Sequence, residues 1–167
     1  MYPGMEIETL DAIRERNSRY SAKMRAVRIV SASAVSKRDL ETRLVRKGES
    51  EEQAKAAVQW LEELNLVDDR QTAKQIVERC IHKGYGLQRA KQALYEKQIP
   101  KALWEEALED YPDQIERIAD FLRTKLRDPE DPKQVKRAID GALRRGHSYG
   151  DVKRALEMIG TESDFDE

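Results

Sequence analysis

The chain has 167 residues, of which 38% are charged and only 6% aromatic, and its formal net charge is −1. This length can bury a real core, while the balanced charge excludes a strong global attraction to nucleic acid and leaves local patches open. A single cysteine excludes an internal disulfide, and no apolar run approaches the ~20 residues needed to span a membrane.

In chain order, residues 1–13 are mixed and acidic and are expected to form a weakly ordered arm. Met1 to Glu6 lacks the basic and apolar regions of a signal peptide, so a cytoplasmic location is the default expectation. The spacing of Tyr20, Met24 and Val27 predicts a helix from about Arg14 to Ala32. Ser36 with Asp39 three residues on forms a capping box that starts a second helix, and Gly48 ends it in a left-handed cap. Ser50 opens a third helix with the stripe Ala54, Ala57, Val58, Leu61 and Leu64.

Asp68 or Asp69 caps the next helix, which points Ala73, Ile76, Val77 and Cys80 inward and stops at Gly84-Tyr85-Gly86. Helices over Leu87–Gln98 and Pro100–Asp110 follow. The stripe Ile115, Ile118, Ala119, Leu122 and Leu126 predicts another, then pairs over Lys133–Arg145 and Gly150–Ile159. The acidic tail 161–167 is expected to be disordered. No useful length alternates with period two, so no sheet is expected.

The same pattern comes round three times: Leu40, Leu44, Lys47-Gly48; then Ala90, Leu94, Lys97-Gln98; then Ala138, Ala142, Arg145-Gly146. In each copy a second helix follows a tight basic link. A long period in an all-helical pattern implies stacked units that bury one another's apolar faces. The expected division is therefore three three-helix repeats, 14–67, 68–111 and 112–160. An extended surface for a partner is favoured over a pocket for chemistry.

Basic residues recur at equivalent places: Lys37, Arg38, Arg43, Arg46 and Lys47 in the first repeat; Lys83, Arg89, Lys91 and Lys97 in the second; Lys136, Arg137, Arg144 and Arg145 in the third. Acidic blocks at 48–69 and 102–120 separate them. These clusters, with Tyr85 between its two glycines, are candidates for contact with phosphates or an acidic partner; solvated, mutually paired faces are the alternative. Without interleaved aromatics, any nucleic-acid contact would be independent of sequence. Asp68-Asp69 lacks a further ligand at metal spacing, and Gly84-Tyr85-Gly86 lacks the features of a phosphate loop. Cys80 and His82, two residues apart on a helix, cannot grip one metal. No catalytic residue, metal or cofactor is expected. Trp104 is expected to pack in the core and Trp60 to sit at a stripe edge, partly exposed.

Several runs resemble the RecX family. They are Ser36-Lys37-Arg38-Asp39-Leu40 with Leu44 and Lys47-Gly48; then Leu66-Val67-Asp68-Asp69 with Ala73, Arg79 and Lys83-Gly84-Tyr85-Gly86; then Leu94, Lys97 and Ile99. The chain departs from the family pattern at Thr72, usually aromatic, and at Gln98, usually glycine. The resemblance covers roughly Met24 to Ile159. It implies an all-α, elongated and curved array of nine helices in three units. It also implies a non-enzymatic modulator of the RecA recombinase in homologous recombination, DNA repair and the SOS response, and a monomer is expected. Such a modulator would bind the RecA–DNA filament and lower its ATPase, growth and strand exchange, and some members bind DNA directly. The alternative is a sequence-independent nucleic-acid-binding helical protein acting without RecA.

Overall fold

The computed structural model describes residues 3–165, with side chains described over 9–160. Residues 1, 2, 166 and 167 of the expected arm and tail lie outside the described residues. Within them the chain is all-α: α1 (Pro3–Ala32), α2 (Lys37–Arg46), α3 (Glu51–Glu63), α4 (Asp69–His82), α5 (Leu87–Glu96), a 3-10 turn (Lys101–Leu103), α6 (Trp104–Leu108), α7 (Ile115–Lys125), α8 (Pro132–Arg144) and α9 (Tyr149–Phe165). No strand occurs among the described residues. The helix of α1 runs back to Pro3, through the segment expected as an arm. Between Met5 and Ala32 neither proline nor glycine interrupts a sequence rich in good helix formers. Likewise, α9 continues to Phe165, into the segment expected to be a disordered tail.

The helices form two compact units. One comprises residues 1–72 with 97–100, and the other 73–96 with 101–167.

In the first unit, α1, α2 and α3 pack together around Leu40, Leu44, Ala54, Ala57, Val58, Leu61 and Val67. The residues that α1 buries are Ala22, Ala26 and Ile29, with Val27 and Val30 partly buried against the same core, while Tyr20 and Met24 of the spacing that predicts the helix are exposed. The two alanines allow the neighbouring helices to approach closely. Leu64 is also exposed, since α3 ends at Glu63 and the chain turns at Asn65 (φ +58°). Trp60 is half-buried against this core, with the Lys23 ammonium 5.0 Å from its ring centroid.

The caps follow local chemistry. Ser36 Oγ accepts from Asp39 N at 3.0 Å and Ser50 Oγ from Gln53 N at 3.1 Å, each satisfying one donor of a helix start. Asp68 Oδ1 accepts from Arg70 N at 3.0 Å. Asp69 acts at longer range. Its carboxylate is buried and accepts from Lys37 N at 2.8 Å, so a residue at the start of α4 caps the first turn of α2. Beside it, the buried Thr72 hydroxyl donates to the Val35 carbonyl at 3.3 Å.

In the second unit a core of Ile118, Ala119, Leu122, Ala138, Ala142, Val152 and Ala155 lies among α7, α8 and α9. The short α6 packs on α5. Pro100 does not open a helix. A 3-10 turn intervenes, and Trp104 is half-buried on a five-residue helix rather than sunk in the core.

Left-handed backbone follows α2, α4 and α8 at Gly48, Gly84 and Gly146. The equivalent place after α5 is held by Gln98 at φ +56°, where a side chain is disfavoured. Gln98→Gly is expected to raise unfolding free energy by about 0.5–1 kcal/mol, the relief of the left-handed penalty less the entropy of glycine in the unfolded chain. Denaturant titration of both proteins checks it, and Gln98→Ala should show no such gain.

Candidate functional site

The second unit brings two short loops into contact. One is Gly84-Tyr85-Gly86 after α4, and the other is Arg145-Gly146-His147 after α8. Gly86 N donates to Arg145 O at 2.8 Å and Gln88 N to Gly146 O at 3.2 Å. The backbones touch so closely that a Cβ on Gly86 would fall within the Gly146 carbonyl, and one on Gly146 would collide with the backbone of Arg89. Gly86 is thus required by close approach, unlike Gly84, which supplies the left-handed turn.

A helix end leaves its last carbonyls without partners. At the end of α4, Arg117 Nη1 donates to Ile81 O at 2.9 Å and to His82 O at 2.7 Å. Arg145 Nη2 donates to Lys83 O at 2.8 Å, and His147 Nε2 lies 3.0 Å from Gly84 O. Two cations and an imidazole therefore satisfy four consecutive carbonyls at the negative end of a helix dipole. A carbonyl can only accept, so the His147 proton is on Nε2. Burial pushes its pKa below the ordinary histidine value, keeping the ring neutral despite the opposing pull of the Gly84 hydrogen bond. The Tyr111 hydroxyl donates to Tyr85 O, and burial raises its pKa to about 12.

Tyr85, expected to be open to a partner, is half-buried. Its ring centroid lies 4.3 Å from the Arg89 guanidinium, 5.4 Å from that of Arg145 and 5.9 Å from the Lys83 ammonium. Beside this stack is a cleft of about 740 Å³ on α7 and α8, lined in part by Arg89, Arg137, Arg144 and Arg145. Four of the sequence candidates thus share one cavity. Lys125, Arg127 and Gln134 also line it and were not singled out from the sequence. The signal for the two cations was the run Arg123-Thr124-Lys125-Leu126-Arg127, which follows the acidic block at 102–120. Lys91 and Lys136 are not in the lining.

The candidates of the first unit are arranged differently. The Lys37 ammonium pairs with Glu62, and its pKa is raised, chiefly by that hydrogen bond. Arg43 pairs with Asp39 at 3.1 Å. Arg38, Arg46 and Lys47 are exposed, and the Lys47 carbonyl accepts from Arg25 at 2.6 Å. Lys97 is half-buried. Part of this set is thus paired with carboxylates of its own unit.

Cys80 is buried, and burial pushes its thiol pKa up, while His82 on the same helix is exposed. No group of three or more His, Cys, Asp or Glu among the described residues could hold a metal ion. No described helix is long and apolar enough to cross a membrane.

The fold and site define an all-helical protein with charged clusters gathered at helix ends and in a cleft. A family model described as RecX, second three-helix domain, matches residues 68–108. Regulatory protein RecX of Vibrio parahaemolyticus is 27% identical over 141 residues, covering 83% of this chain and 91% of that one. Regulatory protein RecX of Chlorobaculum tepidum is 29% identical over 153 residues, covering 89% and 95%. The crystal structure of RecX from Lactobacillus salivarius matches with a TM-score of 0.74 and 18% identity, covering 87% of this chain and 99% of that one. These matches support a RecX family protein: residues 68–108 fit the family's second three-helix domain, and similarity to proteins named regulatory protein RecX extends over most of the chain.

Proposed function

We propose that this protein binds the RecA–DNA filament and restrains it, lowering RecA's ATPase, growth and strand exchange. The observation that carries the reading is the family match over residues 68–108, which contains the Gly84-Tyr85-Gly86 loop with its cationic surroundings. The protein acts as a cytoplasmic monomer. It uses surface contacts rather than chemistry, and several helical elements engage at once, so that individually modest contacts sum to useful affinity. Arg38, Arg46 and Lys47, exposed in the first unit, approach acidic RecA surface or DNA phosphates; the acidic face of α3, with Glu51 and Glu52, meets basic RecA surface.

The test is the single-stranded-DNA-dependent ATPase of RecA titrated with this protein, where inhibition below equimolar ratio to RecA is the expected result. Inhibition appearing only as the protein saturates the DNA would favour the alternative of a nucleic-acid-binding protein acting without RecA.

A further inference from the structure

The cleft on α7 and α8 has a lining that only an anion can satisfy. Six cationic side chains face it, Arg89, Lys125, Arg127, Arg137, Arg144 and Arg145, and among the described residues no carboxylate lines it. Among the described residues none of the six is in an ion pair, although such pairs occur nearby, as between Arg123 and Asp120 at 2.7 Å. Two of the six are fixed in advance: Arg89 donates to Arg144 O at 3.2 Å and Arg145 to Lys83 O at 2.8 Å. The remaining polar group is Gln134. Its amide oxygen accepts from Arg127 N at 3.1 Å and Asp128 N at 2.9 Å, which leaves the NH2 end to donate. Among the described residues the polar side chains of the lining offer donors to the cleft.

The floor says what kind of anion fits. Phe121 is the aromatic residue of the lining, seated on Gly141, where a Cβ would lie 3.0 Å from its ring. Two cations already sit over that ring, Arg145 at 5.2 Å and Lys125 at 5.8 Å from the centroid. A nucleic-acid strand brings one charge per nucleotide, each with a sugar and a base, and stacking on aromatic rings is what usually receives the bases. This cleft offers six charges in about 740 Å³ and no open ring. A compact anion carrying several charges on contiguous phosphates matches the lining far better, and arginine forks suit phosphate oxygens.

We infer that this cleft is a binding site for a compact oligophosphate, a chain of three or more linked phosphates. Inorganic polyphosphate and the triphosphate tail of a nucleotide present the same chemistry. Occupancy neutralises a concentrated basic face of the second unit, so the site couples the charge of that face to the supply of oligophosphate.

The experiment is isothermal titration calorimetry of the full chain at physiological ionic strength without divalent metal, using sodium tripolyphosphate, ATP and a short oligothymidylate in turn. Tripolyphosphate is expected to bind one to one. The double variant Arg137→Glu/Arg144→Glu is expected to weaken it at least about tenfold, because two charge-assisted hydrogen bonds give way to repulsion. Among the described residues neither side chain makes a hydrogen bond, so the variant should fold, which thermal unfolding verifies. Lys133→Glu/Lys136→Glu makes the same change in net charge on α8 outside the lining and should weaken binding by no more than about threefold, since exposed charges that make no hydrogen bond to the anion act weakly. ATP binding comparable to tripolyphosphate assigns the site to a phosphate tail; tripolyphosphate binding alone assigns it to the inorganic chain. Equal losses in the two double variants, or oligothymidylate binding tighter than tripolyphosphate at equal phosphate concentration, overturns the proposal.

Discussion

Gly86→Ala is expected to destabilise the second unit by about 3 kcal/mol or more, beyond the usual range for one added methyl group. The new Cβ meets the Gly146 carbonyl and His147 N, and both are backbone, so no rotamer change relieves the clash. Separating the loops would break the Gly86–Arg145 and Gln88–Gly146 hydrogen bonds. It would also strain the contacts by which Arg145 and His147 satisfy Lys83 O and Gly84 O, leaving part of the α4 terminus without partners. Gly150→Ala is the matched control. The nearest atom to its Cβ is Ser148 Oγ at 4.0 Å, and alanine in the first turn of α9 should be neutral or stabilising by up to about 1 kcal/mol. Urea unfolding of the three proteins measures the difference. A Gly86→Ala protein within 1 kcal/mol of the parent would show that the loops separate freely.

The second large effect is expected at Asp69. Asp69→Ala should cost about 2 kcal/mol, the loss of a charged hydrogen bond that leaves a donor without its partner. Asp69 is only 6% exposed, and its carboxylate serves Lys37 N, a donor that Ser36, occupied with Asp39 N, does not reach. Asp68→Ala removes an exposed cap on Arg70 N and should cost about 1 kcal/mol or less. Asp69→Asn retains an accepting oxygen and should fall between. The order Asp69→Ala, Asp69→Asn, Asp68→Ala in unfolding free energy is what denaturant titration should return, and equal costs at 68 and 69 would contradict the long-range cap.

The adjacent aspartates show where reading the chain by itself reaches its limit. Capping by Ser36 and Ser50 was legible because donor and acceptor are three residues apart and the pattern is local. The bond from Asp69 to Lys37 joins residues 32 apart, and nothing in either run announces it. In α1 the spacing of Tyr20, Met24 and Val27 announced the helix but not its buried face, because Ala22, Ala26 and Ile29 satisfy the same spacing and close helix packing buries that set.

The second-unit site was half legible. Recurring basic residues pointed to Arg89, Arg137, Arg144 and Arg145, which do share a cleft. Their differing duties were not legible. Arg145 caps α4 and covers two aromatic rings, and Arg117 is a structural cap whose role depends on a loop 35 residues earlier. Gly86 carries the same lesson. A turn explained both glycines of its loop from sequence, but the constraint on Gly86 comes from Gly146, a position 60 residues on that only the fold brings near.

The measurement that bears most directly on the proposed role is RecA's ATPase on single-stranded DNA, with DNA in excess and this protein held well below RecA's concentration. A restrainer of filaments lowers the rate at these sub-stoichiometric ratios, and more so when added before filaments have grown. An unchanged rate until the protein saturates the DNA would contradict the account.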